Sequence, residues 1–226
     1  MLKAIIFDLD HTLFDRYATF EKIVVSQESS ALFAPNVSKE VIKAEWEFAD
    51  RKYVHTGWEY IYSHLKEKGL LNKGIVYEDF FPKYVRPLFS AYAANFDFTA
   101  GVLEQLHRGY KLGIITNGDH ELQARKIELL GIARFFDEIV ITGDYGFHKP
   151  HTEIFNIMAK KLNLNPNEMI YVGDHPLNDV EGSRKAGYTP VWVNTTGNWS
   201  FPEIEKPELC VDTIAKLPEI IKKISL

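Results

Sequence analysis

Residues 3–13 read Lys3-Ala4-Ile5-Ile6-Phe7-Asp8-Leu9-Asp10-His11-Thr12-Leu13, an apolar run that delivers two carboxylates and then a hydroxyl. A short, continuously apolar segment suits a strand buried on both faces of a parallel sheet. Acids at its carboxyl end suit the crevice where open α/β sheets bind ligands. The pattern returns at Lys111–Thr116 (KLGIIT), Glu138–Thr142, Met169–Asp174 (MIYVGD) and Pro190–Asn194 (PVWVN). Helical periodicity fills the intervals at Thr99–Arg108, Glu121–Leu130, Thr152–Leu162 and Leu177–Ala186, with Gly109, Gly131 and Gly187 as stops. Strand–helix alternation of this kind implies right-handed crossovers and a Rossmann-like, three-layer α/β core with a parallel sheet. After a loop from Thr195 to Pro207 that carries Gly197 and Trp199, a short edge strand is expected near Leu209–Val211. A final helix is expected near Thr213–Ile224, capped by Asp212 and interrupted at Pro218.

Directly after the first strand the period changes. Residues 15–95 read as helices, near Arg16–Leu32, Ser38–His55, Thr56–Lys68 and Tyr77–Ala93, so the chain divides into a core of 1–14 and 96–226 and a small all-helical insert. Ser38 is the expected N-cap of the second helix, and the Thr56-Gly57 break is soft enough that the second and third helices could be one kinked helix. Pro82 and Pro87 predict a kink or split in the fourth. The insert's aromatics, Trp46, Phe48, Tyr53, Trp58, Tyr60, Tyr62, Phe80, Phe81, Tyr84 and Tyr92 among them, recur at helical spacing and are expected to fill a bundle core. His55 and His64 lack the carboxylate or cysteine company of a zinc site.

With 226 residues, 46% of them hydrophobic, there is ample material for such a core plus insert. The net charge of −5 and the absence of a Lys/Arg-rich block give no support for nucleic-acid or membrane binding, so an anionic partner would have to be small and met by a local basic group. Cys210 is the single cysteine and has no intrachain disulfide partner; with no basic neighbour or histidine in sequence it reads as a core thiol. Asp8 and Asp10 interrupt what would otherwise be the apolar start of a leader, and no stretch approaches the roughly 20 apolar residues of a membrane span. A cytoplasmic protein is expected.

Three strands of this reading end in polar clusters: Asp8 and Asp10 on the first, Thr116 and Asn117 on the second, Asp174 on the fourth. Parallel strands bring these ends to one side of the sheet. Carboxylates gathered there repel one another unless a cation or proton compensates, and a hard divalent ion such as magnesium, bound through carboxylates and a substrate phosphate, does so well. Lys149, in the loop Gly146–Pro150, is a point charge suited to phosphate, and Thr116 adds a hydroxyl. A carboxylate beside metal and phosphate can attack phosphorus to form an aspartyl-phosphate, while a second acid two residues on can protonate the leaving alcohol and later activate water.

In chain order, FDLDHT (Phe7–Thr12), ITNG (Ile115–Gly118), Lys149-Pro150 and VGDHPLND (Val172–Asp179) resemble the motifs of the haloacid dehalogenase-like superfamily of hydrolases. The insert after the first strand resembles that family's helical cap of the first type, which closes over the site. The resemblance implies that Asp8 is the nucleophile and a magnesium ligand, and that Asp10 is the general acid/base and offers its backbone carbonyl to the metal. It further implies that Thr116 and Lys149 hold phosphoryl oxygens with help from Asn117, and that Asp174 is the remaining protein ligand to Mg2+. Asp179 would act through a metal-bound water or by orienting Lys149. His148 and His175 receive no catalytic role. Members that remove halide from 2-haloacids lack an aspartate two residues after the nucleophile, so Asp10 points to the phosphatase branch and to a small phosphorylated metabolite, a nucleoside monophosphate or sugar phosphate. A phosphomutase, a 2-haloacid dehalogenase and a non-catalytic phosphate-binding protein are the alternatives.

Overall fold

The computed structural model describes residues 1–53, 57–194, 199 and 201–224. The chain forms two compact units, one of Met1–Asp15 with Asn95–Leu226 and one of Arg16–Ala94. Strand β1, Ala4–Phe7, opens the first unit, and all four of its residues are buried.

The helical unit contains α1 (Arg16–Val25), α2 (Lys39–Tyr53), α3 (Trp58–Glu67), α4 (Tyr77–Asp79) and α5 (Arg86–Tyr92). The Ser38 hydroxyl accepts from the Val41 N–H at 3.4 Å at the start of α2, as its N-cap position predicts. The expected helix ends at His55 and Thr56 lie outside the described residues. Between α4 and α5, Phe80–Val85 forms a widened turn in which the Arg86 N–H reaches back five residues to Phe81 O. Such a turn absorbs Pro82, which has no N–H to give, and Pro87 falls in the first turn of α5, where none is needed. The unit's centre is aromatic. Trp46, fully buried, stacks on Phe20 with ring centroids 4.3 Å apart and meets Phe33 and Phe89 edge-on. Phe80 and Tyr62 are also buried, whereas Phe48 and Tyr60 are exposed, so the core expectation holds for only part of the aromatic set. Packed among those rings is a buried ion pair. The Arg16 Nε donates to both Asp50 carboxylate oxygens, at 2.9 and 3.0 Å, while its guanidinium lies 5.0 Å from the Trp58 ring centroid.

The other unit continues with α6 (Thr99–His107), β2 (Lys111–Thr116), α7 (His120–Leu129), β3 (Glu138–Ile141), α8 (Thr152–Leu162), β4 (Met169–Gly173), a short α9 (Gly182–Lys185), β5 (Thr189–Val193), β6 (Cys210–Val211) and α10 (Leu217–Ile224). Its six-stranded sheet runs β3-β2-β1-β4-β5-β6, all parallel, the three-layer α/β arrangement expected from the alternation. Buried apolar side chains make it cohere: Ile6, Ile115, Val140 and Tyr171 from the strands pack with Ile154, Phe155 and Met158 of α8. Gly113 records how close that packing is, because a Cβ there would stand 2.9 Å from Ile6 Cδ1 and 3.0 Å from Met158. At the C-terminus Thr213, not Asp212, is the cap. Its hydroxyl accepts from the Ala215 N–H at 3.3 Å and caps the short turn Ile214–Lys216 that leads into α10, whereas the Asp212 carboxylate accepts from Lys216 Nζ at 2.7 Å. Pro218 is the second residue of α10, where a missing N–H breaks nothing. Gly197 and the rest of 195–198 lie outside the described residues, and Cys210 is half-buried on β6 with its thiol pushed up by burial. No helix among the described residues is long and apolar enough to cross a membrane.

The sheet order decides where the polar strand ends meet. β1 sits between β2 and β4, with Phe7 opposite Ile114 on one side and Val172 on the other. The connections leave in opposite directions from this point, which makes it the topological switch at which open α/β sheets bind ligands.

Candidate active site

Asp8 follows β1 directly, and its N–H continues the ladder to Val172 O at 2.8 Å, so the strand itself aims the residue. Its carboxylate is buried and accepts from Lys149 Nζ at 2.6 Å. Burial pushes the Asp8 carboxyl up to about 7; Lys149 pulls against that rise, and the neighbouring Asp179 and Asp10 add to it.

Lys149 is the hub. Besides Asp8 it donates to Asp179 Oδ1 at 2.7 Å and to the Tyr171 hydroxyl at 2.9 Å, and Tyr171 in turn donates to Ile115 O at 2.9 Å. Burial works against the Lys149 ammonium, but Asp179 and Asp8 outweigh it and hold the group well above the usual lysine range. Its backbone is fastened to the end of β2 by Asn117: the Lys149 N–H donates to Asn117 Oδ1 at 2.9 Å, and Asn117 Nδ2 donates to Lys149 O at 3.1 Å. Asn117 thus engages the lysine's peptide in both directions. The peptide bond that follows, Lys149-Pro150, is cis.

Asp174 comes immediately after β4, with its carbonyl accepting from Trp192 Nε1 at 2.8 Å. Five residues on, Asp179 folds back over the strand end, its Oδ2 accepting from the His175 N–H at 2.9 Å. Only glycine fits beneath it, because a Cβ at Gly173 would lie 2.5 Å from the Asp179 carboxyl. Asp8, Asp174 and Asp179 each bring one carboxylate oxygen to within 4.8 Å of the others, a grouping that could hold a metal ion. Burial, then Asp179 and Asp8, push the Asp174 carboxyl well above its usual value. Hard oxygen donors that resist ionisation side by side are the set a divalent cation relieves, so the donor chemistry fits magnesium.

Asp10 is held from α7. Its two oxygens accept from Lys126 Nζ at 2.7 and 2.9 Å, and Oδ2 also accepts from Gln123 Nε2 at 3.0 Å. Gln123 reaches the Thr116 hydroxyl as well, and so links Asp10 to the buried end of β2. The turn that follows Asp10 passes through His11 at φ 61°, with the Leu13 and Phe14 N–H groups both bonded to Leu9 O. Of the residues expected from sequence, then, Asp8, Lys149, Asp174 and Asp179 form one cluster, Asn117 braces it, and Asp10 and Thr116 join through Gln123. His175 uses Nδ1 to cap the following turn, accepting from Leu177 and Asn178, and His148 bonds Thr142 at 2.9 Å.

Sequence reading alone did not single out Lys126, Gln123 or Tyr171. The available signal was positional: Gln123 and Lys126 stand three apart in the helix after Thr116-Asn117-Gly118, on the same buried stripe as Leu122 and Ile127.

A family model of haloacid dehalogenase-like hydrolases matches residues 5–193. Over 98% of the chain it is 27% identical to the whole of a glyceraldehyde 3-phosphate phosphatase from Methanothermobacter thermautotrophicus. It is also 27% identical to the N-acylneuraminate-9-phosphatase of Homo sapiens, over 99% of this chain and 95% of that one. Among solved structures, the magnesium-bound HAD-hydrolase YfnB of Bacillus subtilis superposes with a TM-score of 0.79 at 22% identity, covering 97% of this chain and 98% of that one.

Proposed function

The chain belongs to the haloacid dehalogenase-like hydrolases, and on that premise we propose that it is a magnesium-dependent phosphatase of small phosphomonoesters, acting through an aspartyl-phosphate on Asp8. The observation that carries the reading is the division of labour between two acids only two residues apart: Asp8 is buried against Lys149, and Asp10 is held by Lys126 and Gln123.

In this reading an Asp8 carboxylate oxygen attacks phosphorus. The new O–P bond forms as the ester P–O bond breaks, and Asp10 delivers a proton to the departing alkoxide. Water then attacks the acyl phosphate, Asp10 takes its proton, and phosphate leaves with Asp8 restored. Lys149 offsets charge on the phosphoryl oxygens, the Thr116 hydroxyl contacts them, and Asn117 keeps the Lys149 loop in register. Asp8, Asp174, Asp179 and the Asp10 carbonyl would hold Mg2+, which supplies charge neutralisation to the carboxylates and the phosphoryl group. The helical insert, residues 15–95, selects the substrate, a phosphorylated metabolite of the cytoplasm. The relatives named for phosphorylated sugars favour a sugar phosphate over a nucleoside monophosphate. Dehalogenation fits less well, because expelling halide needs no proton donor and Asp10 is present and braced.

A phosphate-release screen with magnesium over sugar phosphates, nucleoside monophosphates and small acid phosphates tests this, with the Asp8→Asn protein as blank. Release that is fastest on a sugar phosphate and absent from the blank is expected. No release from any phosphomonoester, or equal release by the blank, overturns the proposal, and isomerised phosphosugar in place of free phosphate would make the protein a mutase.

A further inference from the structure

A lysine with only 3% of its surface exposed demands a reason, since burying an ammonium without a partner costs several kcal/mol. For Lys126 the reason is Asp10. The ammonium donates to both oxygens of that carboxylate and lies 4.8 Å from the Phe14 ring centroid, a cation–π contact on its apolar side. One helical turn earlier Gln123, also buried, donates to Asp10 Oδ2 and touches the Thr116 hydroxyl and Asn117 O. Gly118 leaves room for it, because a Cβ there would stand 3.1 Å from Gln123 Cγ. An aspartate on a turn has two rotatable bonds, and two donors from one buried helix face remove that freedom.

We propose that Lys126 is a positioning residue for proton transfer: it holds the Asp10 carboxyl in the one orientation used both to protonate the leaving oxygen and to deprotonate water. The inference rests on the phosphatase reading of Asp10. A lysine that merely tied α7 to the β1 turn would affect folding and every substrate alike. A lysine acting through Asp10 affects turnover in proportion to how much the leaving group needs a proton. Alkoxides need one badly, and nitrophenolate hardly at all.

The test is steady-state kinetics on p-nitrophenyl phosphate and on the fastest sugar phosphate of the screen, with glyceraldehyde 3-phosphate among those tried. Lys126→Met should lower kcat on the sugar phosphate about 10- to 100-fold, the scale of a misaligned catalytic group, with KM within about twofold and with less than about a threefold loss on the nitrophenyl ester. Lys126→Arg should recover most of the loss. In an Asp10→Asn background Lys126→Met should cost nothing further, because the group it positions is already gone. Should Lys126→Met fail to fold, Lys126→Gln is read in the same way. Equal loss on both esters, no loss on either, or a full additional loss in the Asp10→Asn background overturns the inference while leaving the phosphatase reading intact. Absence of turnover by the unmodified protein overturns that reading and this inference with it.

Discussion

Lys149 Nζ donates to Asp8 Oδ1 at 2.6 Å, and both side chains are buried. The same ammonium donates to Asp179 Oδ1 at 2.7 Å, so on the proposed mechanism the nucleophile and a neighbouring acid of the metal cluster share one cation.

Removing that ammonium should injure chemistry and stability together. Lys149→Met leaves Asp8 and Asp179 buried without their cation, and breaking a buried pair typically costs about 3–5 kcal/mol. Phosphate release is expected to fall by at least about two orders of magnitude. Urea unfolding with a chelator present should show the loss of stability, and saturating Mg2+ should restore part of it, because the ion stands in for the missing charge. Unchanged unfolding midpoints would contradict this account of Lys149.

The raised carboxyls predict how magnesium binding depends on pH. Asp8 is pushed up to about 7 and Asp174 well above its ordinary value, both chiefly by burial. Between the unfolded value, about 4, and about 7 the folded state therefore holds protons that the unfolded chain has released. Stability without metal should accordingly decline as pH rises through that window. A cation competes with those protons, so the rise in Tm caused by Mg2+ should be larger at about pH 8 than at about pH 5. Thermal melts with and without Mg2+ at the two pH values check the sign, and an equal or reversed shift would contradict it.

In the helical unit the Arg16–Asp50 pair is the sensitive point, since Asp50 is fully buried and Arg16 nearly so. Asp50→Ala removes the carboxylate from a buried ion pair whose guanidinium lies among Phe20, Trp58 and Phe89, and should cost about 3–5 kcal/mol. Replacing both partners, Arg16→Met with Asp50→Leu, should return most of that. Chemical denaturation followed by tryptophan fluorescence reads the difference.

What the sequence discloses, and what it hides, follows from how far apart the determining residues lie. Buried parallel strands announce themselves as unbroken apolar runs, and KAIIF, KLGIIT and MIYVG became β1, β2 and β4 with shifts of a residue or so at their ends. Acids and hydroxyls at strand ends were equally legible, because a parallel sheet brings every such end to one side, and Asp8, Asp174 and Asp179 do meet there. Partners chosen by tertiary packing left no local trace. Lys126 and Asp10 are 116 residues apart, and a lysine on a helix reads as a solvent contact until the sheet places its face inward. Arg16 and Asp50, 34 apart and both charged, read as surface residues although they lie in the aromatic core. The Thr213 cap was missed for a smaller reason: two adjacent capping residues compete, and geometry chose the hydroxyl.

The central claim is a covalent phosphoryl group on Asp8, and trapping it is the most direct measurement. The protein is mixed with its fastest substrate and Mg2+, quenched in acid and reduced with borohydride, which converts an aspartyl-phosphate to homoserine. Peptide mass spectrometry should find homoserine at position 8, with Asp10 unmodified and with no conversion in the Asp8→Asn protein. Rapid phosphate release with residue 8 unmodified at every quench time, or with homoserine at position 10 instead, would contradict the account.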